Sequence, residues 1–293
     1  MKRLLIIGCG DVATRALPQL AKTFEISVLV RSPAAAPGAM PLRVLHGDLD
    51  QPHTLAQLAG FADCLLHSAP PQDRGESDVR TRSLLAALSG AAKRGEMVPQ
   101  RLVYLSTSGV YGDCNGEYVD ETHPLRPGSD RSKRRVDAEQ VLQEWCARTG
   151  VRLVILRVPG IYAADRLPLA HLRSRAPAFL PDEDVYTNHI HADDLAGVIV
   201  KALQHEAAQG VFNASDDTEM KAGDWFDLVA DRTGLARAPR VSRAEARARL
   251  TPMQWSFLSE SKRLLNGRMK EKLGVQLRYP TVREGVPHAN LVE

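Results

Sequence analysis

The chain has 293 residues, 44% of them apolar and 25% charged, and a formal net charge of +3. Such a composition is ordinary for a soluble globular protein, and the charge is too small to indicate a nucleic-acid or membrane partner. The four cysteines lack the close spacing of metal or redox motifs, and no apolar stretch approaches the ~20 residues of a membrane helix. We therefore expect a cytoplasmic protein with reduced thiols and no metal site.

The first half of the sequence alternates short apolar runs with helical patterns. We predict strands at 4–7, 25–30, 42–45, 63–67, 101–105 and 151–156, with a Pro/Ala/Gly loop at 32–41. Helices are predicted at 11–20, 78–93 and 134–149. Continuous apolar strands separated by helices indicate a parallel sheet that is covered on both faces. The predicted fold class is therefore α/β, with a doubly wound sheet of about seven strands.

The second half of the sequence loses this alternation. We predict a short strand at 211–213 and helices near 192–205, 221–233, 243–250 and 267–273. The predicted division is a sheet domain over residues 1–158, which can take further strands from beyond 158, and a smaller, mostly helical part over 159–293. We expect this second part to bind substrate and to close over the strand ends.

A glycine motif of the form G-x-G-x-x-A directly follows the first predicted strand and opens the first helix. Gly8 allows a tight turn, Gly10 has no Cβ to block a pyrophosphate, and Ala13 lets helix and strand pack closely. The N–H groups at the helix start can hold the anion. This context favours a dinucleotide-binding Rossmann domain over a ligand-free turn. The predicted contacts are Gly8, Gly10, Asp11, Val12 and Ala13.

The end of the second strand bears on the choice between NAD and NADP. NAD-preferring sites carry an acidic residue there, whereas this chain has Arg31 followed by Ser32. An arginine accepts no hydrogen bond from a ribose hydroxyl, but it pairs with a 2′-phosphate. We predict NADP, with Arg31 and Ser32 as contacts; NAD beside a solvated arginine is the alternative.

Several further blocks, in order along the chain, resemble the extended short-chain dehydrogenases/reductases, namely an atypical branch of the NAD-dependent epimerase/dehydratase family. These blocks are Gly47-Asp48-Leu49, Ser68-Ala69-Pro70-Pro71, S-T-S-G-V-Y-G over 106–112, Arg157 through Tyr162, H-I-H-A-D-D-L-A over 189–196, and the tail from Ser261 to Pro280. The resemblance implies that Asp48 and Leu49 contact adenine. It also implies that Ala69 and Pro70 line the cofactor and that Pro159 lies near the nicotinamide.

One departure from the family pattern concerns the Y-x-x-x-K pair, whose tyrosine supplies a proton and whose lysine lowers the pKa of that tyrosine. No tyrosine of this chain is followed four positions later by lysine. If Lys133 is aligned with the family's lysine, Ser129 takes the tyrosine position. If the alignment is based on Glu139 instead, Arg131 takes the tyrosine position and Arg135 takes the lysine position. A positioned general acid contributes about 10²–10⁴ in rate, so its loss would cripple the usual mechanism.

Three residues after the fifth strand are the catalytic candidates. Thr107 aligns with the hydroxyl that contacts a substrate carbonyl oxygen, and Ser108 follows it. Both hydroxyls emerge where ligands bind in open α/β sheets, although they could instead cap the turn. Tyr111 is the nearest phenol and could replace the missing acid; its alternative role is packing.

Two polar clusters complete the candidates. Arg131, Lys133, Arg134 and Arg135 begin a helix, where a bound anion could compensate them. Alternatively, Lys133 pairs with Asp137 and Arg135 with Glu139, with Asp130 as the cap. His189 and His191 share one face of a strand, and we expect them to hold the start of the next helix and to flank the cleft rather than to bind metal.

The function that these residues and the resemblance predict is an NAD(P)-dependent oxidoreductase or epimerase/dehydratase-like enzyme. Its small-molecule substrate would be a nucleotide-sugar or a related carbonyl or hydroxyl compound, a class that rests on the resemblance alone. The alternative is a catalytically inactive NADP-binding sensor, which the missing Y-x-x-x-K pair favours. The resemblance also suggests a homodimer.

Overall fold

Seven parallel strands form the central sheet of the protein, and eight shorter strands among the described residues lie outside this sheet. A computed structural model describes residues 1–32, 42–93 and 97–288. The strands are β1 (Lys2–Ile7), β2 (Phe24–Val30), β3 (Arg43–His46), β4 (Cys64–His67), β5 (Arg101–Thr107), β6 (Tyr118–Val119), β7 (Arg152–Val158), β8 (Gly160–Tyr162), β9 (Ala178–Phe179), β10 (Tyr186–Thr187), β11 (His189–His191), β12 (Gly210–Asn213), β13 (Met220–Lys221), β14 (Arg240–Val241) and β15 (Arg263–Leu264). The helices are α1 (Asp11–Leu20), α2 (Val79–Lys93), α3 (Asp130–Thr149), α4 (Leu169–Arg173), α5 (Ala192–Gln204), α6 (Ala222–Thr233), α7 (Arg243–Arg249), α8 (Pro252–Leu258), α9 (Gly267–Leu273) and α10 (Val282–Gly285). The predicted Pro/Ala/Gly loop lies, beyond its first residue, outside the described residues.

The strand order across the sheet is β12-β7-β5-β4-β1-β2-β3, and all neighbouring strands run parallel. The predicted doubly wound α/β fold is therefore confirmed. The chain moves from β1 towards one edge and then returns to place β4 on the other side of β1. Loops that leave these two strands diverge, which opens a crevice at their carboxyl ends, where such sheets bind ligands.

Alternate side chains of β1 explain why the strand reads as one apolar run. Leu4 and Ile6 pack into the core beneath α1 and α5, whereas Leu5 and Ile7 pack into the core beneath α2 and α3. All four are at most 1% exposed. Because successive strand residues point to opposite faces, a strand that is covered on both sides must be apolar throughout.

The sheet takes its last strand from beyond residue 158, as the sequence analysis allowed. Strand β12 pairs with β7, and α5 packs against α1 on one face of the sheet. A further core gathers Tyr162, Phe179, Trp225 and Phe226 between the helices and short strands that follow. The division at residue 158 and the homodimer stay predictions.

Helix α3 begins four residues before its predicted start because of its cap. Ser129 accepts a hydrogen bond from the Ser132 N–H, and the Ser132 side chain bonds back to the Ser129 N–H. This capping box satisfies two backbone donors at the helix start. Ser129, rather than the predicted Asp130, is therefore the cap.

Candidate functional site

Three adjoining cavities form one groove along the carboxyl ends of the central strands. The fingerprint cavity, of about 320 Å³, is lined by Gly8, Gly10, Arg31, Asp48, Leu49, Ala69, Pro70, Arg80 and their neighbours. The middle cleft, of about 220 Å³, is lined by Gly8, Gly10, Asp11, Val12, Ala13, Arg135, Ile161, Arg166 and neighbours. The aromatic cavity, of about 350 Å³, is lined by Thr107, Ser108, Arg131, Pro159, Ile161, Tyr162, Arg166, Tyr186, His189, Trp225, Phe226, Phe257, Glu260, Lys262 and neighbours. Shared lining residues join the cavities in that order.

The glycine motif is built to receive an extended anion. Gly8 has a φ of +89°, and a Cβ there would lie 2.4 Å from the Ala69 nitrogen, so only glycine fits this turn. A Cβ at Gly10 would meet nothing within 4 Å, which means that it would project into the open groove. The residues present therefore fit a dinucleotide whose pyrophosphate occupies that space in front of α1.

The far end of the fingerprint cavity carries two guanidinium groups. Arg80 donates to both carboxylate oxygens of Asp50, at 2.6 and 2.7 Å, and these hydrogen bonds, together with the Arg80 charge, lower the pKa of that carboxyl. Arg31 makes a smaller contribution to the same pKa and forms no ion pair within the described residues. Ser32 is exposed and does not line the described part of this cavity. The cavity end thus offers one guanidinium to a further anion.

Asp11 introduces a carboxylate into the middle cleft, where its negative charge would repel a pyrophosphate. Two arginines neutralise this carboxylate: Arg15 Nε lies 2.9 Å from Oδ1 and Arg166 Nη1 lies 2.9 Å from Oδ2. Burial raises the pKa of Asp11, but the two arginines outweigh burial and lower it. Arg166 also lines the aromatic cavity, so it stands at the junction between the two spaces.

Thr107 and Ser108 both line the aromatic cavity, and Thr107 also caps the turn that follows. Its Oγ1 accepts a hydrogen bond from the Gly109 N–H at 3.2 Å. Accepting this bond leaves the Thr107 O–H as a donor. The Ser108 side chain makes no hydrogen bond to the described residues. Both predicted roles, capping and lining the site, are thus compatible for Thr107.

The structure favours the alignment on Glu139. Arg135 lines the middle cleft, with Nη1 donating to the Leu105 carbonyl and the Tyr104 hydroxyl at 2.9 Å each, and Arg131 lines the aromatic cavity. The predicted pairs within α3 are wrong, because Lys133 points outward and pairs with Glu76 instead. The guanidinium groups of Arg131 and Arg135 thus both lie along the groove, and their correspondence to the family's tyrosine and lysine stays a prediction.

Tyr111 does not line any of the three cavities, which favours its alternative role in packing over the predicted role of proton donor. Its side chain is fully buried, its hydroxyl donates to Asn213 Oδ1 at 2.7 Å, and it accepts from Arg157 Nη1 at 2.9 Å. Burial raises the pKa of Tyr111 to about 12, although the Arg157 charge opposes this. A phenol held this way packs the core beneath the site.

The two histidines of β11 have different surroundings. His191 Nδ1 accepts a hydrogen bond from the Asp193 N–H and caps α5, which confirms its predicted role. His189 lines the aromatic cavity with 4% exposure, and burial lowers its pKa to about 3.

Among the described residues, no three His, Cys, Asp or Glu side chains gather as metal ligands would. The described helices also include none with the length and apolarity that crossing a bilayer requires.

Sequence reasoning missed most of the aromatic cavity, because its walls come from segments far apart in the chain. Trp225 and Phe226 lie on α6, Phe257 lies on α8, and Tyr186 lies on β10. None of these residues belongs to a motif. Arg166 had no signal either, since its pairing with Asp11 joins positions 155 residues apart. Trp225 and Phe226 also belong to the core that contains Tyr162 and Phe179, whereas Phe257 is largely exposed.

Comparisons with known proteins agree with this geometry. A family model described as the NAD dependent epimerase/dehydratase family matches residues 10–215. A conserved protein of unknown function from Silicibacter pomeroyi DSS has a similar structure, with a TM-score of 0.78 and 31% identity over 97% of this chain and 96% of that one. UDP-glucose 4-epimerase from Thermus thermophilus, in complex with NAD, shares the fold at a TM-score of 0.73, with 20% identity over 97% of this chain and 96% of that one.

Curated relatives match to different extents. The 3-diazoavenalumate denitrifying reductase of a Streptomyces species is 28% identical over 97% of this chain and 99% of its own length. Other curated relatives align at 26% identity over 175 residues, and this chain spans 60% of their length.

Proposed function

The chain belongs to the NAD-dependent epimerase/dehydratase family, and from that premise we propose an enzyme that transfers hydride between NADP and a small molecule carrying a carbonyl or hydroxyl group. Nucleotide-sugars are one candidate substrate class, because the solved structures that share this fold include a UDP-glucose 4-epimerase. The observation that carries this proposal is the continuous groove. Its glycine end fits a dinucleotide, and its other end holds the hydroxyls of Thr107 and Ser108 beside an enclosed aromatic space.

Residues at different places along the groove contact different parts of the cofactor and the substrate. Gly10 leaves room for the pyrophosphate in front of α1, and Arg31 pairs with a 2′-phosphate, so NADP is the proposed cofactor, with NAD as the alternative. The bound dinucleotide supplies or accepts a hydride at nicotinamide C4. The Thr107 O–H donates a hydrogen bond to the substrate oxygen, and Ser108 is free to do the same.

Without the tyrosine, a different group must stabilise negative charge on the substrate. In the family pattern a phenol delivers a proton, whereas Arg131 lies in that position here and an arginine stays protonated. A guanidinium stabilises a negative charge that is present or developing on the substrate without giving up its proton. We therefore propose electrostatic stabilisation by Arg131, with Arg135 fixed next to the cofactor by the Leu105 carbonyl. The substrate oxygen that becomes negative on hydride transfer then takes its proton from solvent water.

The reductase relative favours a reductive direction. It is similar over nearly the whole of both chains, and its name describes a reduction. We propose reduction by NADPH as the first activity to test.

The proposal is tested by calorimetric titration with NADPH and NADH, followed by assays of NADPH consumption by its ultraviolet absorbance. The assay panel contains aldehydes, ketones, conjugated acids and UDP-sugars. We expect NADPH to bind at least about tenfold more tightly than NADH, and turnover with at least one compound. If neither dinucleotide binds, the proposal is wrong.

A second candidate is an NADP-binding sensor without catalysis. The absence of a phenol in the Y-x-x-x-K position favours it, since that residue supplies the proton in the family pattern. Tight NADPH binding with no turnover across the panel would support the sensor over the enzyme. A partner protein that is retained only by the NADPH-bound form would be the corresponding positive result.

A further inference from the structure

The aromatic cavity has walls suited to a flat apolar molecule. Five aromatic side chains line it, together with Pro159 and Ile161; the five are Tyr162, Tyr186, Trp225, Phe226 and Phe257. Phe257 is 56% exposed in spite of its size, so its ring has unused apolar surface at this cavity. Planar aromatic or conjugated groups stack favourably on such rings.

The charges in the same cavity are neutralised with one exception. Lys262 Nζ lies 2.7 Å from Glu260 Oε2 and donates to the Gly112 carbonyl at 2.6 Å. Arg166 is paired with Asp11. Arg131 forms no ion pair within the described residues, and its guanidinium carbon lies 4.4 Å from the centre of the Phe257 ring. The described lining thus presents one uncompensated positive charge next to an aromatic face.

A second polar group in the cavity also lacks a partner. His189 is 4% exposed, and its Nδ1 makes no hydrogen bond to the described residues. Burial lowers the pKa of His189 to about 3, so the imidazole is neutral and adds no charge. A buried ring nitrogen without a partner is costly unless a ligand or water bonds it.

We propose that the aromatic cavity binds a small monocarboxylate with a flat, unsaturated body, with Arg131 pairing the carboxylate and the aromatic side chains holding the body. An arginine fork matches both oxygens of a carboxylate. A nucleotide-sugar carries two phosphate charges, for which the described lining offers only one cation without an ion pair. This inference rests on the proposed function, because the same cavity places the substrate beside Thr107.

The test compares a carboxylate with its uncharged amide in the protein saturated with NADPH. Cinnamate and cinnamamide have nearly the same shape, so their affinities differ mainly through the charge. We expect cinnamate to bind about tenfold more tightly than cinnamamide, as measured by calorimetry. The variant Arg131→Met should lose this preference, and Arg131→Lys should keep part of it.

Arg247 provides the matched control. Its guanidinium also lies over an aromatic ring, 4.6 Å from the centre of Trp255, but Arg247 does not line the cavity. The variant Arg247→Met should therefore leave the preference for cinnamate unchanged. UDP-glucose should not displace cinnamate.

The inference is wrong if cinnamate does not bind, if cinnamamide binds equally well, if Arg131→Met keeps the preference, or if UDP-glucose displaces cinnamate. These outcomes are separate from failure of the proposed function. That failure shows as the absence of dinucleotide binding when the protein is titrated before any acid is added.

Discussion

Arg157 and Glu139 form a buried, two-pronged ion pair below the carboxyl ends of β5 and β7. Nη2 lies 2.7 Å from Oε2, and Nε lies 3.2 and 3.3 Å from the two carboxylate oxygens. Their side chains are 5% and 1% exposed. Ser106 Oγ also donates to Glu139, so the carboxylate ties a strand end to α3.

Removing one partner of this pair should be strongly destabilising, because the other charge would stay buried alone. We expect Arg157→Met to lower the free energy of unfolding by about 3–5 kcal/mol, measured by urea denaturation. The control is Lys2→Ala, since Lys2 pairs with Glu206 at 3.6 Å on the surface. That change should cost less than about 1 kcal/mol. Equal losses for the two variants would contradict the prediction.

Substitutions at the two glycines of the fingerprint should have different effects, one on NADPH binding and the other on stability. Gly10 has an ordinary φ of −83° and open space where a Cβ would project, so Gly10→Ala should leave stability unchanged and weaken NADPH binding about tenfold or more. Gly8→Ala should destabilise the fold by about 2 kcal/mol or more because of its positive φ and the nearby Ala69 backbone. Calorimetry and thermal unfolding check both variants. Unchanged NADPH affinity in Gly10→Ala would show that the pyrophosphate lies elsewhere.

Arg31 should determine the preference for NADPH. We expect Arg31→Met to weaken NADPH binding about 10- to 100-fold and to leave NADH binding unchanged, since only NADPH carries the 2′-phosphate. Arg43→Met is the control, because Arg43 lies over the Phe61 ring and does not line the fingerprint cavity. An equal loss of affinity for both dinucleotides would argue against a 2′-phosphate contact.

Tyr111 should contribute to stability rather than to chemistry. In Tyr111→Phe, Asn213 Oδ1 and Arg157 Nη1 each lose a buried partner, so we expect a loss of about 1–3 kcal/mol in the free energy of unfolding. The turnover number of any activity found should stay within about twofold, because a group that supplies no proton is not worth the 10²–10⁴ of a general acid. Tyr186→Phe is the comparison, since Tyr186 lines the aromatic cavity. A collapse of turnover in Tyr111→Phe without a loss of stability would restore Tyr111 as the acid.

Asp216 should make the protein less stable as pH rises. Burial raises the pKa of Asp216 to about 7, outweighing the hydrogen bonds from Thr218, and one carboxylate oxygen has no partner within the described residues. The folded state therefore binds the proton more tightly than the unfolded state, in which the pKa of this carboxyl is about 3.9. This contribution is fully present below about pH 4 and is lost as pH rises towards and through about 7.

Asp216→Asn should remove that loss. We expect the variant to be more stable than the wild type by about 2–4 kcal/mol at about pH 8, and similar to it at about pH 4, in urea denaturation at both pH values. Asp217→Asn is the control because the Asp217 carboxylate is partly exposed and paired with Lys270. The prediction would be contradicted if the difference in free energy of unfolding between Asp216→Asn and the wild type were the same at both pH values.

The sheet and the glycine motif could be predicted from the sequence because both depend on local pattern. A strand covered on both faces is apolar at every position, as Leu4 to Ile7 are, and the motif needs only the spacing of Gly8, Gly10 and Ala13. Strand ends shifted by one or two residues because pairing with neighbours, rather than the strand's own composition, determines where a strand ends.

The partners of charged and aromatic side chains could not be predicted in the same way. Spacing along α3 suggested that Arg135 pairs with Glu139, but Arg157 on β7 reaches Glu139 first and holds it in the core. Long-range packing also buries Tyr111 and brings α6 and α8 to one cavity. Local spacing contains no information about such distant contacts, so the walls of the aromatic cavity could not be predicted from the sequence.

The place of β12 at the edge of the sheet limits how the chain can be shortened. A fragment ending at Val158 would leave β7 with a row of unsatisfied backbone groups, which invites association with other chains. It would also strip away the α5 carbonyls of Ala202 and Leu203, to which the buried Arg101 guanidinium donates. We therefore expect that residues 1–158 do not form a stable fold without the residues that follow them.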